Sequence, residues 1–207
     1  IIGASASFAT HGVEGWHPNP SFYYKKGGGP LFDMGPYYLT ALFKILGPVN
    51  EIISYSQKTF QVRSVDNPEV KYKNIYVDVD THYLALLKFK SGVVVDFEIS
   101  FDIWKPYEPK LEFYGTLSSI KFADPNNYDG DVSIFDKNSY RWKKVHSSTN
   151  EENNYYRGLG VIEMVKSITE NNISQDEILL PFHVLEVMCA LETYDGKGRW
   201  EKIKPQF

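Results

Sequence analysis

Hydrophobic and polar residues alternate with a period of two over residues 93–101, which is the clearest structural signal in the chain. The apolar positions are Val93, Val95, Phe97, Ile99 and Phe101. The intervening positions are Val94, Asp96, Glu98 and Ser100. Ser91 and Gly92 give a turn signal directly before this stretch. The pattern predicts a β-hairpin over residues 82–101 whose second strand has one buried face and one wet face.

Similar signals divide the rest of the chain into helices and strands. Helices are predicted at residues 33–46, 155–170 and 181–194. Further strands are predicted at residues 4–9, 52–62, 110–114, 118–122, 132–136, 142–145 and 200–203. Strands grouped as hairpins between helices favour an α+β fold, an open and mostly antiparallel sheet with helices on one face. No repeat or linker interrupts the pattern, so residues 1–207 are interpreted as one domain.

The predicted helix at residues 33–46 has two distinct faces. An apolar stripe at helical spacing is expected to face the core; it consists of Leu39, Leu42, Phe43 and Leu46. A polar stripe consists of Asp33, Tyr37, Thr40 and Lys44. Tyr38 lies off the polar stripe and is predicted to pack in the core. Asp33 can cap the helix, and Pro36 is tolerated in the first turn.

Charge and cysteine content exclude several classes of function. The net charge is -4 and the basic residues are scattered, so nucleic acid is not an expected partner. No apolar run reaches the roughly 20 residues that a membrane span needs, and a cytoplasmic protein is expected. The single cysteine, Cys189, lies in an apolar stretch and is predicted to be a buried, inert thiol.

The sequence contains no complete metal-binding or nucleotide-binding motif. Residues 124–131 (DPNNYDGD) resemble a calcium loop in composition only, because Asp129 and Phe135 replace its required glycine and glutamate. The histidines have no metal-ligand spacing, so no metal site is predicted. No GxGxxG sequence opens a strand–turn–helix unit, which means that no dinucleotide-binding domain is predicted within this chain.

Residues 27–49 (GGGPLFDMGPYYLTALFKILGPV) resemble the motif Gly-Gly-Gly…Asp-x-Gly-x-His/Tyr of the Gfo/Idh/MocA oxidoreductases. Residues 4–9 resemble the entry into the second domain of that family. Residues 111–122 (LEFYGTLSSIKF) are similar to its recurrent strand pair, and residues 183–203 to its last helix and strand. The resemblance covers nearly the whole chain and identifies it as the second, substrate-side domain.

The resemblance implies an NAD(P)-dependent enzyme whose cofactor is held mainly by an N-terminal Rossmann domain that this chain lacks, so the chain alone is expected to be inactive. A hydride would move between NAD or NADP and a hydroxyl-bearing carbon of a sugar or polyol. Asp33 and Tyr37 match the motif's aspartate and His/Tyr positions. Since a free phenol has a pKa of about 10, Tyr37 acting as a base would need a nearby cation, such as the family's lysine on the other domain. Alternatively, that lysine transfers the proton and Tyr37 only hydrogen-bonds the substrate.

The loop before the glycines supplies the candidate substrate-binding residues, which are Trp16, His17, Asn19 and Tyr23. Aromatic faces with amide and imidazole groups suit a polyhydroxylated ring. Trp104 and Tyr107 are further candidates, for the pocket or for a subunit interface.

Two other functions are compatible with the sequence. One is a non-catalytic module that binds a carbohydrate-like ligand or mediates dimerisation. The other is a relative that uses the nicotinamide transiently to cleave a glycosidic bond. In the family, open sheets of this kind pair into homodimers or higher oligomers, which is therefore a further expectation.

Overall fold

The computed structural model describes residues 1–104, 108, 110–127, 130–145, 158–172 and 174–205. These residues form three α-helices: α1 (Gly29–Leu46), α2 (Leu159–Thr169) and α3 (Gln175–Thr193). A 3₁₀ turn, Pro20–Tyr24, precedes α1. The strands are β1 (Gly3–Ala9), β2 (Val49–Gln57), β3 (Val62–Ser64), β4 (Asn74–Tyr76), β5 (His82–Phe89), β6 (Val94–Ser100), β7 (Lys110–Tyr114), β8 (Ser119–Lys121), β9 (Val132–Asp136), β10 (Arg141–Val145) and β11 (Glu201–Lys202).

Nine strands form one sheet in the order β10-β9-β8-β7-β1-β6-β5-β2-β11, and β3 and β4 form a separate hairpin. Neighbours in the large sheet are antiparallel except for β1 and β6, which run parallel with Ala6 opposite Phe97. The predicted hairpin of β5 and β6 is confirmed, with Tyr83 opposite Ile99. The predicted α+β class with an open, mostly antiparallel sheet is therefore confirmed.

The main core lies between this sheet and helices α1 and α3. The predicted apolar stripe of α1 is confirmed as buried, with exposed fractions of 0% for Leu39 and Leu42. It packs with Val95 and Phe97 of β6. Tyr38 is also fully buried, as predicted, and its hydroxyl donates to the Asp124 carboxylate at 2.8 Å.

A second, smaller core lies beneath the loop that follows β1. Its buried side chains come from that loop, the 3₁₀ turn, the β3–β4 hairpin and the end of β6; they are Val13, Tyr24, Val65, Val70, Ile75, Val77 and Phe101. Apolar packing therefore anchors the loop to the β3–β4 hairpin as well as to the large sheet.

Four sequence-based expectations are wrong in detail. Helix α1 begins at Gly29 with Gly28 as its N-cap, so Asp33 lies inside the helix and does not cap it. Cys189 is exposed, because it occupies the outer side of α3. Ser100 is fully buried, although the alternation of residues 93–101 predicts it on the wet face. Its hydroxyl forms a hydrogen bond with the ring of His82. Helix α3 starts at Gln175, six residues before the expected start at Pro181.

Two surfaces of the described structure carry unpartnered apolar groups. Helix α2, which was expected over residues 155–170, has no buried residue among those described, and residues 155–157 lie outside that part of the chain. An apolar stripe at helical spacing runs along α2 and consists of Val161, Met164, Val165 and Ile168. Each of these side chains is more than half exposed. The open face of the sheet exposes Tyr55, Leu84 and Leu86 around a depression of about 490 Å³.

His183 joins α3 to β2 in the buried core. The backbone N–H of Val49 donates to His183 Nε2 at 3.0 Å, and His183 Nδ1 lies 3.1 Å from the Glu186 carboxylate. Burial lowers the pKa of His183 from its ordinary value of 6.5, although Glu186 opposes the shift. Protonation would place a hydrogen on His183 Nε2, facing the backbone N–H of Val49, which is also a donor. The folded protein therefore resists protonation of this ring.

We expect the free energy of unfolding to fall as the pH drops below about 6.5 towards the lowered pKa of His183, since the unfolded chain binds the proton first. Urea titrations at pH 7 and pH 5 measure this loss. The variant His183→Gln keeps an acceptor for Val49 but does not titrate, so the loss should be smaller in it. An equal loss in both proteins would show that other groups cause the acid sensitivity.

Candidate functional site

The candidate site lies where the loop after β1 meets the first turns of α1. Two prolines, Pro18 and Pro20, restrict this loop, and the second begins the 3₁₀ turn. The turn delivers Tyr23 beside α1, while Tyr24 points into the smaller core. The loop is therefore a fixed wall beside the amino-terminal half of α1.

Asp33 and Tyr37 share one face of α1, as predicted from their spacing of four residues. Asp33 is half-buried, whereas the exposed fraction of Tyr37 is 37%. Burial raises the pKa of the Asp33 carboxyl, and the His17 ring is near enough to oppose that shift. Burial also raises the pKa of Tyr23, and electrostatic interactions with Asp33 and Tyr37 raise it further. The four side chains are thus electrostatic neighbours, and Tyr23 remains a neutral phenol at physiological pH.

His17 has a defined hydrogen-bonding role. The backbone N–H of Asn19 donates to its Nδ1 at 3.0 Å, so in the neutral ring Nε2 carries the proton. Edge-on contacts with Trp16 and Tyr23, at centroid distances of 5.4 and 5.0 Å, fix the plane of the ring. His17 is therefore positioned as a hydrogen-bond donor next to Asp33.

Gly28 allows the loop and the helix to approach closely. A Cβ at this position would lie 2.7 Å from the carbonyl oxygen of Tyr23 and 2.8 Å from that of Phe22. At Gly28 the group that approaches closely is therefore the protein's own backbone.

We expect Gly28→Ala to displace the 3₁₀ turn and lower the free energy of unfolding, because the two carbonyls are backbone atoms that must move together. Gly15→Ala is the matched control, since nothing lies within 4 Å of a Cβ there and its φ is not positive. Thermal unfolding of both variants tests this, and equal melting temperatures would contradict it.

A buried ionic network holds the start of the loop. The Arg63 guanidinium pairs with Glu14 and Asp102, and the exposed fractions of the three side chains are 3%, 9% and 7%. Arg63 also donates to the carbonyls of His11 and Phe101, at 2.6 and 3.0 Å. The Tyr24 hydroxyl donates to Glu14 at 2.5 Å. One side chain from β3 thereby ties the loop to the carboxyl end of β6.

The remaining candidates lie in less enclosed positions. Trp16 and Asn19 are exposed in the loop, and the Asn19 side-chain oxygen accepts from Tyr72 at 3.1 Å. Trp104 is 77% exposed and stacks on His11 at a centroid distance of 3.2 Å, on the side of the loop where Arg63 lies. Tyr107 lies outside the described residues.

The structure therefore brings His17, Tyr23, Asp33 and Tyr37 together and places Trp16 and Asn19 on the adjoining loop. Within the described ranges there is no cluster of three or more His, Cys, Asp or Glu side chains arranged to hold a metal ion. The same part of the chain contains no helix long and apolar enough to cross a membrane. A carboxylate, two phenols and an imidazole near one another can donate and accept hydrogen bonds with the hydroxyl groups of a small ligand.

The fold places the chain in the class of oxidoreductase C-terminal domains. Residues 1–121 match the family model described as the GFO/IDH/MocA C-terminal domain. The chain belongs to the Gfo/Idh/MocA family of oxidoreductases. A comparison with curated protein sequences finds no match.

Solved structures share the fold at low identity. A levoglucosan dehydrogenase in complex with NADH and levoglucosan has a TM-score of 0.76 and 16% identity, covering 99% of this chain and 59% of that one. An NAD binding oxidoreductase from Klebsiella pneumoniae has a TM-score of 0.70 and 19% identity, covering 98% and 58%. An oxidoreductase domain protein from Kribbella flavida has a TM-score of 0.69 and 19% identity, covering 97% and 58%. This chain thus spans about three fifths of the length of each.

Proposed function

We propose that this chain is the substrate-side domain of an NAD(P)-dependent oxidoreductase that moves a hydride between the nicotinamide and a hydroxyl-bearing carbon of a sugar or polyol. The observation that carries the proposal is the placement of His17 and Tyr23, whose rings are 5.0 Å apart, beside the face of α1 that bears Asp33 and Tyr37. The fold shared with a levoglucosan dehydrogenase that binds NADH and levoglucosan supports the substrate class.

Oxidation of an alcohol releases a hydride to the oxidised nicotinamide and a proton from the hydroxyl, leaving a carbonyl product. The chain's own residues handle the proton and the orientation of the hydroxyl. Tyr37 is exposed on the face of α1 that carries Asp33, so it can take the proton if a cation lowers its pKa, or hydrogen-bond the hydroxyl while a lysine of another domain takes it. The Asp33 carboxylate accepts a hydrogen bond from a second hydroxyl or orients the neighbouring ring of His17.

A separate dinucleotide-binding domain would supply NAD or NADP, because this sequence contains no glycine-rich nucleotide fingerprint. We propose that the apolar stripe of α2 packs against that domain. Unpartnered stripes of this kind mark interaction surfaces, and Met164 within the stripe and Ile168 at its end are both 57% exposed. The chain alone would accordingly be inactive.

The open face of the sheet is proposed to pair with a second copy, giving a homodimer or a higher homo-oligomer. Its apolar strip runs across β2 and β5, where Tyr55 lies opposite Leu84 and Ile53 opposite Leu86. Asp96 and Glu98 of β6 border this strip with polar groups, as at the rim of a subunit interface. Sedimentation velocity gives the mass of the assembly.

The proposed compartment is the cytoplasm, since the single cysteine permits no internal disulfide.

The deciding experiment is cofactor binding and turnover by the full-length protein beside this 207-residue chain, across a panel of sugars and polyols. The proposal expects the full-length protein to reduce NAD or NADP only when a polyol is present, and this chain to be silent. Cofactor binding by neither protein would instead indicate a non-catalytic module that binds a carbohydrate-like ligand or dimerises. Release of a free sugar from a glycoside, without net reduction of cofactor, would indicate cleavage of a glycosidic bond.

A further inference from the structure

The hairpin of β3 and β4 makes a series of polar contacts with the loop that bears the candidate ligand-binding residues. Asn67, which is 5% exposed, donates through its side chain to the carbonyl of His17 at 3.1 Å and through its backbone N–H to the carbonyl of Glu14 at 3.3 Å. The side-chain oxygen of Asn67 accepts from the backbone N–H of Glu69 at 2.9 Å, which fixes its amide orientation. The carbonyl of His17 is therefore held from the hairpin.

Tyr72 continues this set of contacts further along the loop. The backbone N–H of Ser21 donates to the Tyr72 hydroxyl oxygen at 3.1 Å, and the hydroxyl donates to the side-chain oxygen of Asn19 at 3.1 Å. Tyr72 uses one lone pair of the Asn19 amide oxygen and so fixes the orientation of the amide, which leaves both of its N–H hydrogens for a ligand.

Asn19 in turn determines the state of His17. Its backbone N–H donates to His17 Nδ1, so the neutral ring presents Nε2–H. Both candidate binding groups are thus hydrogen-bond donors, whereas Asp33 is an acceptor. This arrangement fits a ligand that offers lone pairs of hydroxyl or ring oxygens to the loop and a hydroxyl hydrogen to the helix.

We infer that Tyr72 and Asn67 are positioning residues of the site, which orient Asn19 and His17 as donors for the oxygen atoms of the ligand. The inference rests on the proposed function for the identity of the ligand. The hairpin then determines which polyol is bound and how tightly it is bound. Helix α1 supplies the groups next to the reacting carbon. Neither Tyr72 nor Asn67 belongs to the main sheet or to α1.

The first test is made on this chain without a ligand, by ¹⁵N NMR of Tyr72→Phe, which removes one hydroxyl. We expect the side-chain amide of Asn19 and the backbone amide of Ser21 to shift, and the His17 ring nitrogens to move from a fixed Nε2–H form towards an average of the two tautomers. Tyr76→Phe is the matched control, because Tyr76 lies on the same hairpin and is 70% exposed. Unchanged spectra in Tyr72→Phe would overturn the inference, as would equal changes in both variants.

The second test measures turnover of the full-length protein across the panel of sugars and polyols. Loss of one oriented donor should raise KM about tenfold in Tyr72→Phe with kcat nearly unchanged, because the contact is made equally in the ground state and the transition state. A fall in kcat with an unchanged KM would contradict a positioning role in binding. Absence of turnover in the unaltered protein would overturn the proposed function, and the NMR result would still decide the role of Tyr72.

Discussion

Replacement of Arg63 with methionine is expected to lower the free energy of unfolding by about 3–5 kcal/mol, the largest effect on stability that we expect from any substitution discussed. Arg63 is the cation between the carboxylates of Glu14 and Asp102, and all three side chains are at least nine-tenths buried. Burial by itself would lower the pKa of Arg63, but Glu14, Tyr24 and Asp102 together raise it. Methionine fills much of the space but leaves two carboxylates buried without the cation that pairs with them.

Guanidinium chloride titrations of Arg63→Met measure the loss, and Arg199→Met provides the matched control. Arg199 also pairs with a carboxylate, that of Asp195, but its side chain is 69% exposed, so its removal should change stability little. Combining Arg63→Met with Glu14→Gln and Asp102→Asn should recover part of the loss, because the stranded charges are removed. Equal effects of Arg63→Met and Arg199→Met would show that the network contributes no more than an exposed pair.

Local periodicity was sufficient to predict the sheet and helix α1. The alternation in β6 and the stripe of Leu39, Leu42 and Phe43 both report a single buried face, which a short stretch of sequence encodes by itself. The bounds of the helices were less accurate. Gly28 is the N-cap where an aspartate was expected, because a side chain there would meet the carbonyls of Phe22 and Tyr23. Pro181 lies within α3, where it was expected to begin the helix.

The burial of Cys189 was mispredicted for a related reason. An apolar sequence around the residue suggested a core position, but the helix turns only one side towards the core. Val187, Met188 and Leu191 occupy that side, which leaves Cys189 on the other.

The helical half of the candidate site was predictable, and the half held by long-range contacts was not. Asp33 and Tyr37 lie four residues apart, so their shared face follows from helix geometry. The residues that fix the loop, Arg63, Asn67 and Tyr72, are separated from their partners by about 50 positions. No local pattern distinguishes such a residue from any other polar side chain of a loop or short strand, and only the folded chain reveals the contact.

Substitution of Tyr37 with phenylalanine in the full-length protein is expected to lower kcat by about 10²–10⁴-fold if its hydroxyl transfers the proton. The change removes only the oxygen atom of a side chain that is 37% exposed and makes no contribution to the buried face of α1. Stability should therefore be retained, so a loss of rate would report on the chemistry. Tyr140→Phe, at an 81% exposed position in the turn between β9 and β10, is the matched control.

The pH dependence of kcat separates the two roles open to Tyr37. If the phenol is the base, activity in the unaltered protein rises with pH as it ionises, and Tyr37→Phe abolishes that rise together with most of the rate. If a lysine of the other domain is the base and Tyr37 only hydrogen-bonds the substrate, the variant keeps the rise in activity with pH and loses a smaller factor, mainly through KM. Turnover that is unchanged at every pH would exclude both roles. The reacting hydroxyl would then have to lie nearer to Asp33 and to His17, which opposes the rise in the pKa of Asp33 that burial causes.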